Sequence, residues 1–276
     1  MRHLLRKHCL RSAGVGVLSA ALWVAAGSLA LHPVTMLAAG AAGAGKAKDE
    51  QSDAQIQADV QKALDNKKFK DVSAFVQGSN VTLTGSVDVY ADKEDADKRV
   101  HHRKGVKGVD NEIQVAGPAI EDSTLRDKLA EKLAYDRVGY GTNAFNSLTI
   151  GVQQGVVTLG GTVYGPVDKD SALSTVANTP GVKDIVDNVE VAPLSPMDDR
   201  LRIMLARAIY GAPQLQKYAI DPANPIRITV VNGNVTLTGM VDSKADSDVA
   251  NIRANGVPGV FKVTNELQVA PQSSKK

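Results

Sequence analysis

The sequence predicts an α+β protein of three tandem αββαβ modules, each a three-stranded mixed sheet with two helices packed on one face. Three segments can be superimposed without a gap: NVTLTGSV (80–87), VVTLGGTV (156–163) and NVTLTGMV (234–241). Each contains a glycine that lies 30 residues before the last valine of its copy. The period of 76 and then 78 residues is longer than that of solenoid repeats, so each copy should close its own core.

The elements of each copy follow in a constant order. Apolar residues at spacings of three and four predict a first helix, for example at Ile56, Val60 and Leu64. Alternating apolar residues then predict a strand and a hairpin turn, for which Asn232-Gly233 is the strongest signal. We expect Asp53, Asp122 or Ser123, and Ser195 to cap the first helices of copies one, two and three.

Two sets of glycines mark the frame of the repeat. Gly85, Gly161 and Gly239 lie inside predicted strands, where glycine indicates a bulge or a close backbone approach. The second helix is predicted to end at a glycine that precedes the last strand, at Gly105, Gly181 and Gly259. The predicted modules span residues 53–116, 121–192 and 195–270, joined by short proline-containing linkers.

The first 45 residues differ from the rest of the chain. Four basic residues precede an apolar run from Ala13 to Leu31 and a small-residue stretch, which is the order of a secretory signal peptide. We predict cleavage between Ala38 and Ala44, with a retained membrane anchor as the alternative. Cys9 lies in this leader, so the exported chain would hold its cores together without disulfides.

Charge and residue types limit the chemistry. Four of the 32 basic residues belong to the leader and none of the 30 acidic ones do, which leaves 28 against 30 and no support for nucleic-acid binding by bulk charge. His101 and His102 are neighbours that point about 100° apart on a helix. No catalytic residues, cofactor or metal ligands are therefore predicted, and the acidic clusters suggest weak cation binding only as a minor alternative.

The repeated V-T-L-x-G-x-V segment, the Gly-Val before the last strand and the final strands beginning at Asn111, Asp187 and Asn265 resemble the BON (bacterial OsmY and nodulation) domain family. The resemblance covers about residues 53 to 270. It implies an αββαβ fold, no catalytic activity, export to the periplasm, and a role in binding phospholipid or other envelope components under osmotic stress. The shared glycines carry over only as markers of the fold.

Candidate contact residues for such a surface come from two places. The second helix of copy one and the loop after it form the most basic segment of the chain, with Lys98, Arg99, Arg103, Lys104 and Lys107. Copies two and three carry about seven and nine extra residues after their first helix, which contain the aromatic candidates Tyr140, Phe145 and Tyr218. The alternative is that these aromatic rings cover the open end of their own small core.

The sequence therefore predicts a non-catalytic, exported binding protein whose partner is a phospholipid surface or an envelope component. The alternative is a periplasmic protein-binding or chaperone-like module that acts through exposed sheet edges, because a three-stranded sheet leaves edge strands available for pairing.

Overall fold

The computed structural model describes residues 51–271, and the predicted export leader (1–45) lies outside the described residues. Three modules follow one another along the chain. Module one contains α1 (Asp53–Ala63), β1 (Val72–Gln77), β2 (Asn80–Val87), α2 (Tyr90–His101), β3 (Gly108–Asn111) and β4 (Gln114–Val115). Module two contains α3 (Asp122–Tyr135), β5 (Ser147–Gln153), β6 (Val156–Val163), α4 (Pro166–Ala177) and β7 (Asp184–Val191). Module three contains α5 (Pro196–Tyr210), α6 (Lys217–Ile220), β8 (Arg227–Val231), β9 (Asn234–Thr238), β10 (Met240–Val241), α7 (Lys244–Asn255), β11 (Lys262–Asn265) and β12 (Gln268–Val269).

The same sheet is built three times. The repeated VTL segment forms the central strand, which pairs antiparallel with the strand before it and parallel with the last strand of its module. The last strand is continuous in module two and interrupted in modules one and three, where β4 and β12 continue the pairing begun by β3 and β11. These mixed three-stranded sheets and their helices confirm the predicted α+β fold of tandem modules.

Each module buries a separate apolar cluster between its sheet and its two helices. In module one, Ile56 and Val60 of α1 meet Leu83 of β2 and Val100 of α2, all without solvent exposure. Corresponding clusters lie in modules two and three, without a disulfide in the described residues. Burial of the apolar residues at the predicted helical spacing provides the main driving force for each fold.

The strand glycines have the predicted role. Gly85, Gly161 and Gly239 have φ of +109°, +98° and +121°. A Cβ at Gly161 would lie 2.0 Å from the carbonyl oxygen of Ser147 in the neighbouring strand, and one at Gly85 would meet the Asp71 carbonyl at the same distance. Only a residue without a side chain permits this backbone approach.

The second set of glycines follows the helices rather than ending them. Helix two ends at His101, Ala177 and Asn255 in the three modules, each four residues before the predicted stop. A turn fills the interval, and Gly105, Gly181 and Gly259 have positive φ there, at +87°, +98° and +92°. The predicted helix ends were therefore too late, because the glycine belongs to the turn that returns the chain to the sheet.

The helix caps differ from the prediction in two modules. Ser52, not Asp53, caps α1 and forms a capping box with Gln55, and the Glu121 side chain forms no cap hydrogen bond at α3. Ser195 caps α5 as predicted. Asp53, Asp122 and Asp198 instead each accept two hydrogen bonds from successive backbone N–H groups of the hairpin turn, at 2.7–2.9 Å. A carboxylate in the first helical turn can thus bind the adjacent hairpin turn in all three copies.

The last strand is attached to helix two by a repeated polar contact. Asn111 and Asn265 each donate a side-chain hydrogen bond to a backbone carbonyl of helix two and accept one from the N–H two residues later. Module two has Asp187 at this place, whose carboxylate binds Lys169 of α4 at 2.8 Å. An amide and an ion pair therefore perform the same structural task.

Candidate functional site

The segment between helix one and the first strand is the most variable part of the modules, and a repeated ion pair attaches it to helix two. A basic residue of this segment contacts the carboxylate at the third position of helix two in every copy. The pairs are Lys68 with Asp92 (2.9 Å), Arg137 with Asp168 (3.4 Å) and Lys217 with Asp246 (3.0 Å). The carboxylates also lie at the positive end of the helix dipole, where a negative charge interacts favourably with the helix.

Tyr218 is a core residue of module three, so its predicted contact with a lipid surface is wrong. Its side chain is only 4% exposed, and its hydroxyl donates to Asp246 (2.7 Å) and accepts from the Asp242 backbone N–H (2.7 Å). Burial would raise the pKa of Asp246, but hydrogen bonds from Tyr218 and Lys217 outweigh it and hold this pKa below its ordinary value. The alternative expectation, an aromatic ring that covers its own core, holds for Tyr218.

Phe145 lies at the junction of modules two and three. Its half-buried ring packs against the apolar cluster of module three, which leaves only part of the ring available for the predicted lipid contact. Beside it, the Arg227 guanidinium of β8 donates to the backbone carbonyl oxygens of Asn143 (3.1 Å) and Asn146 (2.8 Å) in module two. The extra residues of module two therefore form part of an interface between modules.

Tyr140 is the one aromatic candidate of the three that remains on the surface. It is 71% exposed, and the guanidinium of Arg137 stacks over its ring at 3.8 Å from the centroid. This cation–π contact orients the ring but leaves most of its area accessible.

The junction of modules one and two is made differently. Tyr90, the first residue of α2, packs against the apolar cluster of module two. Burial, together with the nearby Asp184 carboxylate, raises the pKa of Tyr90 to about 12.

The basic candidates of module one divide into two groups. Lys98 and Arg99 pair along α2 with Glu94 (3.2 Å) and Asp95 (3.0 Å), which reduces their availability to an external anion. Arg103, Lys104 and Lys107 are exposed in the turn after α2 and form no ion pair with a carboxylate of residues 51–271. The basic surface is therefore concentrated at the end of the helix, where three cations face solvent together with His101 and His102.

A second cationic surface, which is not among the predicted contact residues, lies on the outward face of α5. We call it the α5 face and define it as Met197, Arg200, Ile203, Met204 and Arg207. All five are exposed, with Ile203 at 49% and Met204 at 38%, and at 3.6 residues per turn they occupy a continuous arc of roughly 120°. Neither arginine forms an ion pair with a described residue.

A sequence signal for the α5 face was present. The three consecutive apolar residues Ile203, Met204 and Leu205 make the apolar stripe wider than one buried face requires. Only Leu205 of these enters the core. The other two are left on the surface beside the two arginines.

Neither a metal cluster nor a membrane-spanning helix occurs in the described residues. No group of three or more His, Cys, Asp or Glu side chains in residues 51–271 is arranged so that it could hold a metal ion. The helices within the same range are too short or too polar to cross a bilayer.

The fold and these surfaces define the class: a tandem array of small αββαβ modules with exposed cationic and apolar surfaces. The BON domain family model matches residues 52–117, 121–193 and 213–271. The chain belongs to the BON domain family. The third match begins at Pro213 and omits α5, although α5 packs against the third sheet.

Among curated proteins, the chain is similar to the osmotically-inducible protein Y of Escherichia coli (strain K12). The two are 24% identical over 191 residues, which cover 68% of this chain and 92% of the relative. Among solved structures, the C-terminal domain of CdsD, a structural protein of the type III secretion system of Chlamydia trachomatis, aligns at 16% identity with a TM-score of 0.23. The alignment covers 78% of this chain and 96% of that one.

Proposed function

We propose that this protein is a non-catalytic envelope protein, exported to the periplasm, that binds phospholipid surfaces and supports the envelope under osmotic stress. The single observation that carries the proposal is the α5 face, which joins two arginines to three exposed apolar side chains. Membership of the BON family and the similarity to an osmotically-inducible protein support the same biological setting. The cations after α2 are a second candidate contact.

The chemistry of the α5 face suits the interface of an anionic bilayer. A helix that lies in the plane of the interface inserts its apolar side chains among the acyl chains and keeps its basic groups at the phosphates. The aliphatic stems of Arg200 and Arg207 can lie along the same apolar surface while their guanidinium groups contact lipid phosphate. Each cation near an anionic surface contributes about 1 kcal/mol, which predicts weak, salt-sensitive binding.

Two modest contacts on one chain can strengthen each other. The α5 face belongs to module three and the cations Arg103, Lys104 and Lys107 belong to module one. If both reach one surface, the second contact forms at high effective concentration, and the total affinity exceeds that of either site.

Sedimentation with liposomes tests the proposal. The probe is a vesicle of phosphatidylglycerol and phosphatidylcholine, compared with phosphatidylcholine alone, at low and moderate salt. We expect the full chain to sediment with the anionic vesicles and to be released by salt. Protein that stays in the supernatant in both salts contradicts the proposal.

Matched variants separate the two surfaces. The double variant Met204→Ser/Arg207→Gln should lose most of the sedimentation, and Lys104→Gln/Lys107→Gln a smaller part. As the control, Lys128→Gln/Val186→Ser also removes one cation and one exposed apolar side chain, but from module two. If the control loses as much as the α5 variant, the binding is not specific to the α5 face.

A further inference from the structure

The edge strand of module one is closed by a side chain of its own helix. Gln57 of α1 donates from its side-chain amide to the Ala74 carbonyl oxygen (2.8 Å) and accepts from the Val76 N–H (3.0 Å). These are groups of β1 that point away from β2, because the alternate residues make the pairing with that strand. The amide therefore occupies the place that another strand would take.

Module three closes the equivalent edge with two side chains. Arg202 of α5, which follows Asp198 by four residues as Gln57 follows Asp53, donates to the Val230 carbonyl oxygen at 2.6 Å. Further along the same helix, the Tyr210 hydroxyl donates to the Ile226 carbonyl oxygen at 2.5 Å. Both acceptors belong to or immediately precede the edge strand β8.

Module two lacks both closing contacts. Arg126 holds the position of Gln57 and Arg202, but its side chain is 55% exposed and pairs with the neighbouring Asp127 at 2.7 Å. The position of Tyr210 is taken by Ala134, whose methyl group cannot reach the strand. Within residues 51–271, the outward backbone groups of Ile150 and Val152 in β5 form no hydrogen bond comparable to those of Gln57.

A pocket opens at the place where the Tyr210 side chain lies in module three. It has a volume of about 150 Å³ and lies between α3 and β5. Its apolar walls are Ala130, Leu133, Ala134, Leu148 and Ile150 of module two and Ala223 of module three. This volume suits one aliphatic side chain and is too small for a drug-sized ligand, whose pockets begin at roughly 300 Å³.

The charges at this pocket favour a neutral occupant. Asp168 is held by Thr142, Asn146 and Arg137. The other two charged residues at the pocket are Asp136, which accepts a hydrogen bond from Ser171, and Arg227, which donates to two backbone carbonyls. Their opposite charges balance each other. The strand itself, SLTIGVQ, carries no charged residue and no proline, the features by which edge strands usually prevent pairing.

We propose that β5 of module two is a docking strand for an extended polypeptide segment, which adds to the sheet as a fourth strand. The backbone of the segment would bond the outward N–H and C=O groups of Ile150 and Val152, and one aliphatic side chain would enter the pocket between α3 and β5. A segment with alternating aliphatic residues and no charge meets both requirements. This site is distinct from the α5 face and does not depend on lipid binding.

Fluorescence anisotropy with the full chain tests the site. The probe is a labelled, end-capped peptide of two lysines followed by SLTIGVQ, which alternates aliphatic residues; a second peptide has proline in place of the isoleucine. We expect saturable binding of the first peptide and at least about tenfold weaker binding of the second, which lacks a backbone donor. Absence of saturable binding of the first peptide overturns the proposal.

Variants that copy the sister modules locate the site. Arg126→Gln introduces the residue of module one, Ala134→Tyr introduces that of module three, and each should weaken peptide binding about tenfold or more. Lys128→Gln removes the same charge from the same helix and should leave binding unchanged. Because Ala134 is buried and its variant could fail to fold, the exposed Arg126 provides the decisive measurement.

The results with these variants distinguish docking at β5 from binding elsewhere on the chain. The assignment to β5 is overturned if the first peptide binds Arg126→Gln as tightly as the unchanged protein. It is also overturned if Lys128→Gln weakens peptide binding as much as Arg126→Gln does. If the chain alone forms a dimer in sedimentation velocity and Arg126→Gln dissociates it, the partner is a second copy and the polypeptide proposal is wrong. Liposome sedimentation of Arg126→Gln should equal that of the unchanged protein, so the two proposals can fail separately.

Discussion

Modules one and three share one frame but attach the segment after helix one in different ways. In module one, the pair Lys68–Asp92 joins the segment to α2 with the lysine 56% exposed. In module three, a longer segment buries Tyr218 between Asp246 and the core, with Lys217 at the rim. The hydrogen-bonded positions are equivalent, whereas the burial is not, so the same repeat yields contacts of very different strength.

Module two extends this comparison to function. Its frame residues match those of the other two copies, but it has an arginine that turns to solvent and an alanine where its neighbours close their edge strands. A frame held by glycines, hairpin turns and buried apolar residues tolerates changes at such positions. The copies can therefore differ in their available surfaces without differing in fold.

The largest expected effect concerns the common frame. Gly161→Ala places a Cβ 2.0 Å from the Ser147 carbonyl oxygen at a φ of +98°, and it should cost about 3 kcal/mol of the free energy of unfolding. Hydrogen exchange of β6 measures the loss within module two. Gly139→Ala, where a Cβ meets no atom within 4 Å, is the control and should change little. Equal losses in the two variants would contradict the role of the close approach.

The next effect distinguishes module three. Tyr218→Phe removes a buried hydroxyl that bonds Asp246 and the Asp242 N–H, and we expect a loss of about 2 kcal/mol from the groups left without a partner. Hydrogen exchange of the backbone amides of α7 measures this loss of stability. Tyr140→Phe removes the same atom from an exposed ring and should have almost no effect.

Acid should weaken the same contact. The ordinary pKa of an aspartate is about 3.9, and the pKa of Asp246 is held below this value. The contribution of its carboxylate to the stability of the fold is therefore complete at neutral pH and is lost as the pH falls through the lowered pKa. Between pH 6 and pH 3, the urea midpoint of the unchanged protein should fall further than that of Asp246→Asn. The same decrease in both proteins would show that this carboxylate does not contribute to acid sensitivity.

The smallest effect is expected in module one. Lys68→Ala removes an ion pair whose lysine is largely in solvent, so the stability should fall by less than about 1 kcal/mol. A double-mutant cycle with Asp92→Asn isolates the coupling, which should decrease further in high salt. A coupling as large as the Tyr218→Phe loss would remove the difference between the two modules.

Much of the frame could be predicted from residue patterns because the relevant constraints are local. The strand glycines were recognised since glycine is unfavourable in a strand unless the backbone requires it, and Asn232-Gly233 forms the predicted turn with φ of +51° and +75°. The role of Asp53, Asp122 and Asp198 was missed. Asp53 and Asp122 begin helices, which suggested a cap, and Asp198 is the third residue of α5. The partners of all three lie 25 to 35 residues away in the hairpin turn.

The candidate surfaces were less predictable. Tyrosine suits an interface as well as a core, so composition could not decide that Tyr140 is exposed and Tyr218 is buried. Basic residues could be identified, but not that Lys98 and Arg99 are paired whereas Arg103, Lys104 and Lys107 are not. The α5 face required knowledge of which side of the helix meets the sheet.

The amino-acid sequence by itself determined the threefold repeat, the type and order of its elements and the positions of its glycines, because hydrophobic period and turn chemistry act over a few residues. The tertiary structure decided which aromatic rings are buried and which edge strand is left open. Those properties depend on whether side chains distant in the sequence, such as Gln57 or Tyr210, reach a particular strand. Such reach is a property of the packed chain, and no local pattern encodes it.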